Sequence, residues 1–243
     1  LSPRTALITG GTSGIGRASA EALHRRGYQV IVTGQNPDTL AVARRELPED
    51  IVVVRADSRS LADTDRVVEE TRDRFGGLDV LFLNAGIVRA LPVEAVDEAT
   101  FDDLFDVNFK GQFFTLQKAL PLLREGGSVL FTIGLGAIRG VPGGSVAAAS
   151  KGALLSMVPT LALELAPRKI RVNAVSPGAV RTGIWDKHGL PPEALEAIAD
   201  GIPLGRFGTS EEIAETVAFL ASDAAAFITG ENIVIGGGSG LRS

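Results

Sequence analysis

Three groups of residues in this chain have types and spacing suited to chemistry. The first is Thr9-Gly10-Gly11-Thr12-Ser13-Gly14-Ile15-Gly16, set between a short β-branched run and the helical run 17–23. Glycines at positions 10, 14 and 16 let the backbone bend sharply, approach a pyrophosphate and pack helix against strand, while free helix amides face the anion. Without a ligand the same residues would form an ordinary glycine-rich turn; their place after the first strand of a βαβ unit favours dinucleotide binding, with Thr12, Ser13 and Ile15 in the same cradle. The second group is Ser145-Val146-Ala147-Ala148-Ala149-Ser150-Lys151-Gly152, in which Lys151 can act as a proton donor if burial lowers its pKa. The hydroxyls of Ser145 and Thr132 are poor acids at neutral pH and are read as a helix cap and strand packing. The third group spans Thr182, Trp185, Asp186, Lys187 and His188. His188 titrates near neutrality and is either an acid/base or a solvent-facing loop residue; Trp185 either stacks on an aromatic ligand or anchors the loop.

Something must hold these groups together, and the apolar pattern supplies it. Short β-branched runs at 6–9, 29–33, 51–55, 80–83, 128–132, 171–175 and 232–235 alternate with helical patterns, among them 15–26, 37–46 and 192–199. Parallel strands need crossover helices, so the alternation predicts an α/β fold: one doubly wound parallel sheet of about seven strands with helices on both faces. Ligands then bind at the carboxyl ends of the strands. Glycine and proline mark the joins at Gly76-Gly77, Gly126-Gly127 and Pro177-Gly178, and no long biased linker separates domains. We therefore expect a single domain over residues 1–243, with a substrate lid at about 179–203.

Taken in order, these landmarks resemble the short-chain dehydrogenase/reductase family, and the likeness covers nearly the whole chain. They are the glycine turn, Asp57 after the third strand, Asn84-Ala85-Gly86 after the fourth, Asn108 in the next helix, Ser150-Lys151, and Pro177-Gly178 after the sixth strand. The resemblance implies a Rossmann-like, nicotinamide-binding oxidoreductase acting on carbonyls or alcohols. It implies Asp57 at the adenine, Asn84, Ala85 and Gly86 beside the cofactor, Pro177, Gly178 and Thr182 facing the nicotinamide, and Lys151 at its ribose. The stretch Val32-Thr33-Gly34-Gln35-Asn36 lacks the carboxylate that NAD-specific relatives carry after the second strand, so NADP(H) is slightly favoured over NAD(H), with Gln35 and Asn36 available to bond it. Arg17 either adds charge there or is a solvated helix residue.

The family's catalytic set is incomplete. Its tyrosine, four residues before the lysine, transfers the proton, and its serine polarises the carbonyl; here position 147 is alanine and position 134 glycine. The only tyrosine, Tyr28, lies between the first helix and second strand, away from the nicotinamide end. Proton transfer to the reacting oxygen is worth about 10² to 10⁴-fold, roughly 3 to 5 kcal/mol, so normal carbonyl reduction should be severely impaired. Candidate catalytic residues are then Lys151, Asn108, which orders a water in the family or else bonds helix backbone, and His188 as a substitute acid. His24, beside Arg25 and Arg26, is read instead as favourable charge at a helix end.

Composition narrows the alternatives. The net charge of −5 is spread along the chain without a basic block, which argues against nucleic acid. Cysteine is absent, which excludes disulfides and thiolate chemistry and suits a reducing cytoplasm; no metal set is apparent. No apolar run is read as reaching the roughly 20 residues of a membrane span. Three functions compete: an NADP(H)-dependent oxidoreductase with a non-standard proton donor; a non-redox cyclase, dehydratase or isomerase reusing the pocket; or a dinucleotide-sensing or structural protein. The expected partners are a small-molecule substrate or ligand and further copies of the chain, as a dimer or tetramer built through 103–123, 145–165 and the last strand.

Overall fold

The computed structural model describes residues 3–182 and 191–241. Seven strands form one parallel sheet: β1 (Thr5–Thr9), β2 (Gln29–Gly34), β3 (Val52–Arg55), β4 (Leu78–Leu83), β5 (Leu123–Thr132), β6 (Arg171–Pro177) and β7 (Asn232–Ile235), in the order β3-β2-β1-β4-β5-β6-β7. The chain direction across the sheet reverses at β1, whose two neighbours are β2 and β4. A crevice for a ligand opens outside the strand ends at such a point.

Both faces of the sheet are buried, which is why the strands read as continuous apolar runs. Successive residues of β1 point opposite ways: Ala6 and Ile8 join Ala18, Leu23, Val217 and Ala218 in one apolar layer, while Leu7 joins Leu116, Leu154 and Val158 in the other. The first layer is built on α1 (Gly14–His24), α2 (Pro37–Glu46) and α8 (Ser210–Ala221), the second on α3 (Leu61–Phe75), α5 (Gly111–Ala119) and α6 (Ser145–Leu165). Two shorter helices, α4 (Glu98–Phe105) and α7 (Pro192–Asp200), complete the described set. Full burial of side chains such as Phe82, Phe131 and Leu154 contributes about 1.5–3 kcal/mol each.

Two features depart from the sequence reading. The α4–α5 connection is a π-helical turn, Asp106–Lys110, so Asn108 sits on a widened turn and not in a regular helix. Such turns push backbone and side chain outward and recur at functional sites. The second departure corrects the expectation that no apolar segment approaches span length. The helical stretch Ser145–Arg168 has 24 residues and contains an 18-residue window of mean hydropathy 1.5, long and apolar enough by composition to cross a membrane. One face of the stretch, carrying Leu154, Val158, Ala162 and Leu165, packs on the sheet.

Candidate active site

A cavity of about 500 Å³ runs along the carboxyl edge of the sheet, from the turn after β1 to Lys151. At the glycine end, α1 begins without a side-chain cap, as α5, α6 and α7 do. Asn36, Ser60, Asp97 and Thr209 cap α2, α3, α4 and α8 with side-chain hydrogen bonds, whereas Ser13 makes no cap bond and the first turn of α1 holds no acid. Its amides and the Ser13 hydroxyl are left to an anion. Gly10, Thr12, Ser13, Gly14 and Ile15 line the cavity. Gly16 does not line it but supports the turn, because a β-carbon there would run into the Gly10 carbonyl and lie 2.6 Å from Asn84 Nδ2.

The ends of β2 and β3 form the cavity's outer part. Gln35, Asn36 and Asp57 line it, and Gln35 donates its amide N–H to Asp57 Oδ2 at 3.0 Å. Asn36 Oδ1 accepts from the amides of Asp38 and Thr39 at 2.8 and 3.1 Å, so its carbonyl is engaged in capping α2. Arg59, which the sequence reading passed over, holds the Asp57 carboxyl below its ordinary range through hydrogen bonds, with its Nη2 2.7 Å from Oδ2. It also reaches Asp103 at 2.8 Å. Its spacing from Asp57 was visible in the sequence, but only folding brings it toward Gln35. Ser58 and Thr39 join the lining as neighbours of residues already singled out.

Beyond them, the strand ends are bolted together. Thr9 Oγ1 accepts from the amides of Asn84 and Ala85, each at 3.0 Å, while Asn84 Nδ2 donates to the carbonyls of Thr9 and Gly10 at 3.2 Å. Thr132 Oγ1 donates to Asn84 Oδ1 at 2.9 Å, which ties β5 to β4. Gln112, buried in α5, donates to the Ala85 carbonyl. Ala85, Gly86, Gly178 and Thr182 all line the cavity; Pro177 ends β6 behind it and does not.

Lys151 closes the inner end. Its Nζ donates to the Thr132 carbonyl at 2.9 Å, and burial lowers its pKa from 10.5 to about 8. Asn108 is fully buried beside it: Oδ1 accepts from the Ile87 amide at 2.8 Å, and Nδ2 donates to the Ile87 carbonyl and Ser150 Oγ at 2.9 and 3.0 Å. A β-carbon on Gly86 would lie 2.9 Å from Lys151 Nζ and 3.2 Å from Asn108 Oδ1, so the three groups meet at one point. Asn108 is thus bonded to backbone and to a serine, and does not line the cavity.

Position 147 carries only a methyl group, one helical turn before Lys151. Gly134 adopts φ 107° and ψ 152°, a region essentially restricted to glycine. Tyr28 is buried and donates to the Ala221 carbonyl at 3.4 Å; it does not line the cavity. Arg17 is engaged by Glu21 and Glu46 at 3.1 and 2.9 Å, and also stays out of the lining. His24 bonds Asp50 at 2.8 Å at the opposite end of α1 from the turn. His188, Trp185, Asp186 and Lys187 lie outside the described residues. Among the described residues no cluster of His, Cys, Asp and Glu could hold a metal ion.

Known proteins resemble the chain along nearly its whole length. The family model described as enoyl-(acyl carrier protein) reductase matches residues 10–239. The 3-oxoacyl-(acyl-carrier-protein) reductase of Thermotoga maritima is 39% identical, with 98% of each chain covered. That of Staphylococcus aureus is also 39% identical, over 97% of each. The crystal structure of a short-chain dehydrogenase/reductase, glucose/ribitol dehydrogenase, from Brucella melitensis superposes with a TM-score of 0.92 at 36% identity, covering 98% of this chain and 97% of that one. Levodione reductase does so with a TM-score of 0.92 at 33% identity over all of both chains. Sequence likeness along the full length and the same seven-stranded sheet lead to one conclusion: the chain belongs to the short-chain dehydrogenase/reductase family.

Proposed function

We propose that this protein binds a nicotinamide dinucleotide, NADP(H) in preference to NAD(H), and interconverts a carbonyl and an alcohol of a small-molecule substrate. The observation that carries the reading is the single cavity lined at one end by the uncapped, acid-free start of α1 and at the other by Lys151. The residues present fit such a group: backbone amides, the Thr12 and Ser13 hydroxyls, and one lining carboxylate, Asp57, already offset by Arg59. Preference for the 2′-phosphate rests on Gln35 and Asn36 standing where a carboxylate would repel it. The relatives named 3-oxoacyl-(acyl-carrier-protein) reductase and levodione reductase support ketone reduction as the shared chemistry. We take residues 1–243 as one domain.

A bound nicotinamide supplies or accepts the hydride. The chain's own part falls to Lys151, the ionisable side chain at the inner end. With a pKa of about 8, it is protonated at neutral pH and releases the proton more readily than an exposed lysine. In the reducing direction, with a nicotinamide bound to supply the hydride, Lys151 Nζ would give a proton to the substrate oxygen and solvent would restore it. Asn108 and Ser150 position the helix turn that carries Lys151. Relative to the family, Gly134 and Ala147 make this a degenerate site without the usual serine and tyrosine.

That same pair favours a second reading, a non-redox enzyme such as a cyclase, dehydratase or isomerase, or a dinucleotide-sensing protein, because neither position offers a hydrogen-bonding side chain. Titration with NADPH and NADH by fluorescence, followed by absorbance assays of NADPH oxidation with a panel of ketones, separates them. The oxidoreductase reading expects tighter NADPH binding and turnover that falls as pH rises through about 8, where Lys151 loses its proton, and that is abolished in Lys151→Met. Binding without oxidation moves the assignment to the second reading, and no binding overturns the oxidoreductase and the dinucleotide-sensing readings, leaving a non-redox enzyme that uses the pocket without nucleotide.

A further inference from the structure

A second cavity, of about 450 Å³, lies against the start of α6. Val93 and Val141 give it apolar walls, Ser145 and Ala148 come from the first turns of α6, and among the described residues Arg139 is the one charged residue lining it. Ala148 is next to Ala147 and one helical turn before Lys151, which places this cavity beside the inner end of the nucleotide cleft.

Many arginines of the chain meet carboxylates, whereas Arg139, like Arg168 and Arg171, meets backbone carbonyls. Arg59 is matched by Asp57 and Asp103, Arg89 by Asp103, and Arg124 by Asp79 at 2.6 Å. Arg139 has no carboxylate partner among the described residues; its guanidinium donates from Nη1 to the Ser239 carbonyl. That bond steadies a half-buried guanidinium while leaving further N–H donors for a ligand. A cation in a cavity whose other described walls are valine, proline, glycine, Ala148 and the Ser145 hydroxyl asks for an anion with an apolar body. Among the described residues no lysine or second arginine lines the cavity to balance a phosphate dianion, so the lining asks for a monoanion.

We propose that this cavity recognises the carboxylate of an acidic substrate through Arg139, with the substrate's apolar part against Val93 and Val141. The assignment rests on the oxidoreductase reading and names the substrate class for it: a keto acid or hydroxy acid whose carboxylate stands away from the reacting carbon.

The test compares hexanoate with hexanamide, two probes of the same length that differ in charge, binding to the full chain by saturation-transfer NMR and calorimetry. NADPH affinity is measured alongside as a check on the fold and on the neighbouring cleft. The proposal expects hexanoate to bind about tenfold more tightly than hexanamide, a preference lost in Arg139→Gln and largely kept in Arg139→Lys, with NADPH affinity unchanged. Glutamine retains a donor for the Ser239 carbonyl. If Arg139→Gln nevertheless fails to fold, the wild-type preference must shrink as salt is raised. Equal binding of the two probes, or a preference that survives in Arg139→Gln or ignores salt, overturns the proposal. A carboxylate preference without NADPH binding supports this cavity and overturns only the cofactor reading.

Discussion

At the scale of single residues, position 134 is the more informative of the two altered positions. A β-carbon on Gly134 would find its nearest neighbour, the Pro177 carbonyl, at 3.9 Å, so space is not what excludes a side chain. The backbone is: φ 107° with ψ 152° costs an L-residue about 1–3 kcal/mol. Ala147 sits in regular helix and carries no such restriction. We therefore expect Ala147→Tyr to raise ketone reduction about 10²-fold or more, measured as NADPH oxidation, since it returns a phenol one turn before Lys151. Gly134→Ser should lower the thermal midpoint and add little activity. A rise with Gly134→Ser and none with Ala147→Tyr would contradict both arguments. The sequence displayed the two substitutions; it could not display that one of them is locked in by backbone geometry.

Among elements, the strand–turn–helix unit at the start of the chain and α8 make a useful contrast. Both helices begin at a polar residue, but Thr209 and Glu212 form a reciprocal capping box on α8 while Ser13 leaves α1 open. Thr209→Ala should cost about 0.5–2 kcal/mol in denaturant unfolding and leave nucleotide affinity unchanged. Gly16→Ala should do the reverse in emphasis, weakening NADPH binding at least tenfold, because the new methyl forces the Gly10 carbonyl and Asn84 apart. Equal loss of affinity in both variants would mean that general stability and not the turn governs binding. The elements were mostly legible because parallel strands and their helices announce themselves by local period. The exceptions have physical causes. Strand β5 starts at Leu123 instead of near 128 because it runs through Gly126-Gly127, with a register shift against β4 between Leu78 and Val80. One widened π turn at Asn108 leaves no mark on an apolar pattern.

For the molecule as a whole, the apolar side chains left on the surface matter most. Only 22% of the apolar window in the Ser145–Arg168 stretch is buried, and Leu163 on it is 78% exposed. Phe227 is fully exposed and Leu241 is 91% exposed. Apolar surface of this extent calls for a partner, and further copies of the chain are the expected one. Analytical ultracentrifugation should show a dimer or tetramer, and Leu163→Glu should shift it toward smaller species without changing the far-ultraviolet circular dichroism. A wild-type monomer would remove that expectation and turn attention to membrane vesicles as the surface that covers α6.

The sequence by itself determined the element order, the parallel sheet, the glycine turn and the absence of a phenol or hydroxyl at positions 147 and 134. Those are matters of local period and covalent identity, readable along one stretch of chain. Tertiary structure decided which charges meet and what each meeting does to them. Arg59 lies beside Asp57 and Asp103, Arg17 turns to Glu21 and Glu46, and Lys151 is buried deeply enough to lower its pKa to about 8. Arg139 is left against a cavity with a backbone carbonyl and, among the described residues, no acid. Electrostatic outcomes of this kind depend on distance and desolvation between segments far apart in sequence, and folding alone sets both.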